Sequence, residues 1–259
     1  MMWNILKVEI KKILPYRPVW IFLGLYVLLL PLIFGFFKNS TSNGLPLDVS
    51  KVYGFPGVWT YLTYLGSYFH VLPGFLIIMI VSNEYSYRTF RQNVIDGYSR
   101  FELVLGKMSL MVLLSLLLSF YLLLVGLFYG VANMQEMNLS IISEKIYYIP
   151  LFALQGFAYM TLALIISVLV KRSALSIILF LVYILIIEKF IQSFLPESIQ
   201  LYTPENTFSD LIGFPWKGIA MMMGVEMKEL ALSLAIGFTV AYSALFLGLS
   251  YLTLKQRDL

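Results

Sequence analysis

The chain contains no cysteine and only one histidine among its 259 residues. The lack of cysteine excludes a disulfide scaffold and any thiolate metal site. Zinc sites typically use three or four protein ligands, so a single histidine does not indicate a metal centre. We therefore expect no catalytic residues, no metal and no bound cofactor in this chain.

Nucleotide-binding and hydrolytic motifs are also missing. No G-x-x-x-x-G-K-[ST] phosphate loop occurs, and the pair Gly106-Lys107 is followed by methionine. The chain is therefore not expected to bind ATP itself, and any energy must come from a partner. Neither H-E-x-x-H nor G-x-S-x-G is present. This argues against an intramembrane enzyme, which would need an activated nucleophile or a metal held by several ligands.

Charge is scarce and apolar residues are abundant. Charged residues make up 12% of the chain and hydrophobic residues 60%, with a mean hydropathy of +0.85. Soluble domains average about 25% charged and 45–50% apolar residues, so this composition indicates a membrane protein. The net charge of +4 and the pI near 9.0 do not predict nucleic-acid binding, because the basic residues cluster between apolar runs.

Six apolar runs approach or exceed the roughly 20 residues that cross a bilayer as a helix. The predicted fold class is therefore an all-α polytopic membrane protein with six transmembrane helices. The predicted spans are Val19–Phe37, Tyr61–Ser82, Met108–Gly130, Tyr148–Val170, Ser173–Ile187 (extending towards Leu195) and Glu229–Thr253. The first run is longer than the apolar region of a signal peptide and lacks a small-residue cleavage site, so we expect it to remain as a span.

The distribution of basic residues predicts the orientation. If both termini lie on one side, residues 1–18, 83–107, 171–172 and 255–259 share that side and hold twelve of the eighteen Lys and Arg residues. Loops rich in Lys and Arg stay in the cytoplasm. Both termini are therefore predicted to be cytoplasmic.

The segment before the first span predicts an interfacial helix. Its apolar residues fall on one face of a helical wheel, with most of its lysines away from that face, and Pro15 and Pro18 end the helix. Such a helix lies in the membrane interface with its lysines directed at anionic lipid. The apolar residues are Trp3, Leu6, Ile10, Ile13 and Leu14.

The segment 83–107 is a charged stretch between the second and third predicted spans. Tyr85, Arg88 and Gln92 recur at helical spacing, and Asp96-Gly97 is a turn signal that ends such a helix. Ser99 stands three residues before Glu102 and just ahead of an apolar run, which is the capping-box pattern. We expect a short surface helix, a tight turn and a capped entry into the third span. A soluble partner could bind this element.

These features together resemble the permease subunit of an ABC transporter of the type-2 (ABC-2) exporter superfamily. The resemblance rests on the interfacial helix, the segment Glu84–Lys107 and the basic tail that ends in Asp258-Leu259. The matching positions of the segment are Glu84, Arg88-Thr89, Ser99-Arg100 and Gly106-Lys107. The resemblance implies a single transmembrane permease domain over 1–259 in the bacterial inner membrane, comprising an interfacial helix (1–18), a cytoplasmic coupling loop (83–107) and an extracytoplasmic loop (190–228).

The resemblance also implies partners. Two permease chains, identical or homologous, would assemble with two separate ABC ATPase subunits, which bind ATP and magnesium. Spans one and five would meet the partner permease, and spans two and five would border the substrate conduit. The coupling loop would lie on the ATPase. Its candidate coupling residues are Glu84, Arg88, Arg91, Asp96, Arg100 and Glu102.

Two polar residues within the apolar runs are candidates for the conduit. His70 lies in the second run near Pro73, and Glu188 lies about 15 residues into the fifth, roughly 22 Å deep. Intramembrane ionisable residues are functional candidates. The structural alternatives are a hydrogen-bonded packing role for His70 and, for Glu188 with Lys189, side chains that extend to the outer interface.

The outer segment 190–228 predicts short helices packed on the outer mouth, because apolar residues alternate with Pro and Gly. The methionines Met221, Met222, Met223 and Met227 could hold copper(I), but flexible apolar packing is the simpler explanation and the one we favour. An alternative function is a membrane anchor or sensor that docks a cytoplasmic ATPase without transport. The cargo, and the choice between export, lipid flipping and an immunity role, stay open.

Overall fold

In a computed structural model, the chain is described at residues 2–41, 52–134, 139–217, 221, 224 and 228–256, and these residues form an all-helical bundle without strands. Residues 222–223, 227 and 257–259, which include most of the methionine group and the end of the basic tail, lie outside the described part. The helices are α1 Met2–Ile13, α2 Arg17–Thr41, α3 Gly57–Ser67, α4 Val71–Ser86, α5 Thr89–Ile95, α6 Arg100–Ala132, α7 Leu139–Ser143, α8 Tyr148–Val170, α9 Ser173–Val182, α10 Glu188–Gln192, α11 Glu197–Gln200, α12 Pro204–Ser209 and α13 Leu232–Gln256.

The six predicted membrane-spanning helices are confirmed by length and composition. Spans 1 to 6 are Arg17–Phe36, Gly57–Ser86, Arg100–Ala132, Leu139–Val170, Ser173–Gln192 and Leu232–Gln256. Span 2 consists of α3 and α4 joined by a 3₁₀ turn, and span 5 consists of α9 and α10 joined by a π-helical turn. The chain is therefore an integral membrane protein.

The apolar run of span 3 was predicted to start near Met108, and the capping box at Ser99 was predicted to begin the helix that leads into it. In the structure α6 starts at Arg100, so Lys107 lies inside the helix. The connection between spans 2 and 3 therefore comprises residues 87–99 rather than the whole of 83–107. A buried ion-pair cluster described below explains why a lysine fits there.

Span 4 occupies the centre of the bundle. Its main helix α8 packs against α13, α4, α6 and α9, and two thirds of its apolar window (67%) is buried. Spans 1, 5 and 6 bury only 22%, 17% and 17% of theirs. The faces left uncovered must meet lipid or another chain, since they carry large apolar side chains such as Leu28 and Ile178.

A proline inside span 1 shows how side chains of a neighbouring helix supply hydrogen bonds to backbone carbonyl groups. Pro31 has no N–H, so the carbonyl of Val27 lacks its usual helical donor. The hydroxyl of Tyr121 in span 3 donates a hydrogen bond to this carbonyl at 2.6 Å. Tyr129, two turns further along span 3, donates to the carbonyl of Pro31 at 2.8 Å. Unsatisfied backbone groups are costly in hydrocarbon, so these two tyrosines fix span 1 against span 3.

Two ends of the bundle are distinguished by their connections. The basic end carries α1, residues 87–99, residues 171–172 and the end of α13. The opposite end carries α7 and the short helices α11 and α12. Short helices in the segment 190–228 were predicted, and α11 and α12 confirm them within its described residues. Phe208, Leu211 and Ile212 anchor this segment in the core.

Candidate functional site

The connection at residues 87–99 is the most exposed structured element of the basic end. The prediction of one helix through Tyr85, Arg88 and Gln92 is wrong. Span 2 ends at Ser86, Arg88 adopts a left-handed conformation with φ 56°, and α5 begins only at Thr89. The hydroxyl of Thr89 donates to the carbonyl of Glu84 at 3.3 Å, which braces the break. The chain therefore turns sharply before α5.

The turn and the cap that follow α5 are as predicted. Gly97 has φ 95°, a conformation that glycine adopts without strain, and Gln92 donates to Asp96 at 2.9 Å. The Ser99 side chain accepts from the Glu102 N–H at 3.2 Å. The Glu102 carboxylate in turn accepts from the Ser99 N–H at 2.7 Å, which completes the capping box.

A buried cluster of two lysines and two glutamates lies beneath this connection. The Lys107 ammonium donates to Glu84 at 2.7 Å and to Glu9 at 2.5 Å. Lys12 donates to the same two carboxylates at 3.1 and 3.2 Å. Lys107 is 2% exposed, and its ammonium also lies 5.9 Å from the ring centre of Phe90 in α5. The cluster therefore joins α1, the end of span 2, the start of span 3 and α5.

The charges of this cluster balance. Burial by itself raises the pKa of the Glu9 carboxyl, but the ammonium groups of Lys107 and Lys12 outweigh burial and hold the pKa below its ordinary value. Glu9 is thus an anion that compensates the buried lysine. Taking a charge out of water is expensive unless it is paired in this way, so the four groups depend on one another.

Sequence analysis missed Glu9 and Lys12 as members of a site. Their signal is weak but present: Ile5, Glu9 and Ile13 recur every four residues and are all buried, so Glu9 shares the inward face of α1. The predicted apolar face was different. Leu14, which that face included, is exposed.

The candidate coupling residues separate into two groups. Glu84 and Glu102 are structural in this geometry, since one belongs to the buried cluster and the other to the capping box. Arg88, Arg91 and Asp96 are exposed on the connection. The Arg100 guanidinium donates to the backbone carbonyl of Lys255 at the end of α13. The structure thus does not bring the six residues together as one surface.

The exposed face of the connection is basic and partly apolar. Tyr87 is 78% exposed and Ile95 68%. An open groove of about 610 Å³ lies between the start of the connection and residues 170–172, and the Lys171 ammonium stands 5.1 Å from the centre of the Tyr85 ring. No carboxylate contributes to the groove among the described residues. The groove is lined by Tyr85, Ser86, Arg88, Arg91, Val170, Lys171 and Arg172.

A second feature is a cavity of about 410 Å³ towards the opposite end, bounded by spans 2, 4 and 5 and by the segment after span 5. We call it the polar cavity. Its walls mix carboxylates, amines and aromatic side chains. It is lined by Tyr64, Ser67, Tyr68, His70, Val71, Gln155, Tyr159, Ile184, Leu185, Lys189, Glu205, Ser209, Asp210, Ile212, Gly213, Phe214, Lys228 and Glu229.

His70 lies in the wall of this cavity, at the 3₁₀ turn of span 2, and is 2% exposed. Its ring packs against Phe152 at 4.2 Å between centroids. Gly156 makes room for it, because a Cβ at that position would approach the imidazole at 2.8 Å. His70 neighbours Gln155, yet neither ring nitrogen has a hydrogen-bond partner of good geometry among the described residues. The ring is therefore buried and packed, as the structural alternative for His70 predicted, and Gln155 is the polar side chain next to it.

Glu188, the other conduit candidate, does not line the cavity. It is 2% exposed and accepts a hydrogen bond from the Glu205 N–H at 2.6 Å, in the first turn of α12. A carboxylate is stabilised by the free N–H groups of a helix start. Its side chain thus holds α12 in place rather than extending to the interface, while neighbouring Lys189 is exposed at the cavity edge.

Comparison with known proteins identifies this architecture. A family model described as "ABC-2 family transporter protein" matches residues 5–187, which include most of α1, the connection between spans 2 and 3, and spans 1 to 4 with most of span 5. The search of curated proteins found no match.

Proposed function

We propose that this chain, which belongs to the ABC-2 transporter family, is the membrane subunit of an ATP-driven exporter. Members of this family are generally transmembrane subunits that lack an ATP site and work with separate ATPases. In this proposal, residues 87–99 dock on a partner ATPase, which binds ATP and Mg²⁺. The chain itself contributes no cofactor site.

One observation carries the proposal. The exposed connection is not a loose loop, because the buried cluster ties its base to α1 and to the ends of spans 2 and 3. A force applied to α5 therefore acts on two spans and on the interfacial helix together. Exposed apolar residues such as Tyr87 and Ile95, on a segment that also exposes Arg88 and Arg91, are typical of an interface with another protein.

The assembly follows from the same proposal. Both termini and the basic end face the cytoplasm, where loops rich in Lys and Arg stay and where ATP is available. Two permease chains pair through spans 1 and 5, whose large apolar side chains are largely uncovered in a single chain. Two ATPase subunits then bind the two basic ends. Native mass spectrometry of the purified transporter should show this two-plus-two composition, and a single permease chain that supports coupled ATP hydrolysis would contradict it.

The docking role is tested by charge changes at the connection. Arg88→Ala and Arg91→Glu should weaken capture of the ATPase or uncouple hydrolysis from transport, with membrane insertion unchanged. Removing one member of a charge pair at an interface costs about 2–5 kcal/mol when the pair is buried. Lys11→Glu is a matched control, because Lys11 is exposed on α1 at the same end.

The measurements are pull-down of the ATPase and ATP hydrolysis at equal permease levels in nanodiscs. Wild-type behaviour of both arginine variants would overturn the docking assignment. If docking persists but ATP drives no substrate movement in proteoliposomes, the chain is an anchor or sensor instead of a transporter.

A further inference from the structure

The polar cavity holds charges that the chain leaves without an ionic partner. Glu205 and Asp210 line it, and neither forms an ion pair among the described residues. Their hydrogen bonds come from neutral donors: Ser209 donates to Glu205 at 3.0 Å, and the Leu230 N–H donates to Asp210 at 2.9 Å. The third carboxylate, Glu229, is already paired with Lys217 at 2.7 Å. Two carboxylates are thus available to a cation.

The buried side of the same cavity offers further polar groups. His70 and Gln155 are each 2% exposed and stand next to each other, but neither the imidazole nitrogens nor the Gln155 Oε1 have a hydrogen-bond partner of good geometry among the described residues. Buried polar atoms without a good hydrogen bond are costly, so a fold that leaves them beside one cavity points to a ligand that satisfies them. The Gln155 Oε1 accepts only, which favours a ligand that donates.

The described carboxylates do not form a metal site, because no group of three potential ligands converges among the residues that the structure describes. An organic cation is therefore the better match. Aromatic rings support this choice: Tyr64 and Tyr68 share a hydrogen bond of 2.7 Å, and Phe214 packs on Tyr64 at 5.5 Å. Aromatic faces attract ammonium groups as well as apolar chains.

The rim of the cavity is apolar and accessible from the side of the bundle. Tyr68 in span 2 and Leu185 in span 5 both line the cavity and are both more than half exposed. They lie within membrane-spanning helices, where the surrounding medium is hydrocarbon. A ligand that enters here meets an apolar edge first and carboxylates deeper in.

We infer that the polar cavity binds the primary ammonium group of an amphiphilic amine, with the ammonium at Glu205 and Asp210 and the alkyl chain at the Tyr68 and Leu185 rim. As a statement about cargo, the inference rests on the proposed function. As a statement about binding, it concerns the permease alone and is tested without ATP or ATPase, so either proposal can fail while the other holds.

The experiment uses the full chain in phosphatidylcholine nanodiscs with radiolabelled dodecylamine. Saturable binding near one molecule per chain is expected, at least tenfold weaker for Glu205→Gln or Asp210→Asn, because hydrogen bonds to charged groups are among the stronger ones. Asp210→Glu should retain binding, since it keeps the charge. Glu144→Gln is the control, because Glu144 is exposed near the same end but does not line the cavity.

Three further probes locate the chemistry. Propylamine should bind much more weakly than dodecylamine if the rim holds the chain, and dodecyl phosphate should not compete. Competition by phosphatidylethanolamine in the nanodisc would support the inference with a lipid headgroup as the source, and its absence would support it with a non-lipid amine. Non-saturable uptake that is equal in all variants, or preference for dodecyl phosphate, would overturn it.

Discussion

At the basic end, Lys107, Lys12, Glu9 and Glu84 pair among themselves, whereas in the polar cavity Glu205 and Asp210 have no ionic partner among the described residues. Both regions place charge inside a membrane protein, where an isolated charge is expensive. In the first region the charges of the four side chains pair with one another, so this cluster, which we call the brace, holds the helices together. In the second region the two carboxylates lack a cationic partner, as expected for a site in which a bound ligand supplies the cation.

The largest effect is expected when one lysine is removed from the brace. Lys107→Met removes the cation between Glu9 and Glu84 and leaves two buried carboxylates with Lys12 alone. Breaking a buried ion pair in this manner costs about 3–5 kcal/mol. The variant should show a much lower thermal unfolding temperature in nanodiscs than wild type.

Lys11→Met provides the matched control for that change, since it removes an exposed lysine from the neighbouring helix and should leave the unfolding temperature nearly unchanged. Exchange of the charges in Glu84→Lys with Lys107→Glu should recover part of the loss. Equal stability of Lys107→Met and wild type would mean that the cluster is not a brace.

Titration in the polar cavity should make the thermal stability and the binding of ligand depend on pH, whereas the brace should not titrate in this range. Burial raises the pKa of Asp210 to about 6, with Glu229 and Glu205 adding to the shift and the Leu230 N–H and Lys217 opposing it. Glu229, Glu205 and Lys217 are the charged groups that act on Asp210. Because the folded pKa is above the ordinary value of 3.8, the group's contribution to stability is present below about pH 3.8 and is lost as pH rises through about 6.

Two measurements follow from this sign. The ligand-free protein should lose thermal stability between about pH 4 and pH 6, and dodecylamine should bind more tightly as the pH rises through about 6 because the carboxylate ionises. Asp210→Asn should flatten both profiles. A dependence on pH that persists unchanged in Asp210→Asn would assign the titration to another group.

The smallest expected effect concerns the capping box between the connection and span 3. Ser99→Ala removes the acceptor for the Glu102 N–H and should cost about 0.5–2 kcal/mol. Thermal unfolding in nanodiscs measures this change, and Ser143→Ala at an exposed position of the opposite end provides the comparison. A loss as large as that of Lys107→Met would show that the cap, rather than the ion pairs, fixes the start of span 3.

The features that the sequence could predict are those that depend on residues close together in the chain. The apolar runs, the Asp96-Gly97 turn and the Ser99–Glu102 capping box depend on residues within a few positions of one another, and each is present in the structure. The break at Arg88 was missed because helical spacing does not reveal a left-handed residue. The apolar run of span 3 was placed from Met108 although the helix starts at Arg100, because the sequence does not show the partners that let Lys107 lie inside the helix.

The two sites depend on distant residues. Glu9 and Lys107 are 98 positions apart, and Lys12 and Glu84 are 72 apart. The polar cavity likewise combines span 2 with a segment more than a hundred residues later. A single sequence gives no indication of such pairs. His70 could be singled out as unusual, but its unpartnered nitrogens and the Gly156 that admits it appear only in three dimensions.

The central claim, that residues 87–99 contact a partner ATPase, can be measured by crosslinking. The chain has no cysteine, so single cysteines introduced at Tyr87, Ile95 or Leu139 are unique reactive sites. With a short thiol-to-amine crosslinker, Tyr87→Cys and Ile95→Cys should form an adduct with the ATPase subunit, and Leu139→Cys, exposed at the opposite end, should not. Absence of the adduct from both connection variants in complexes that hydrolyse ATP, or an equal adduct from Leu139→Cys, would contradict the account.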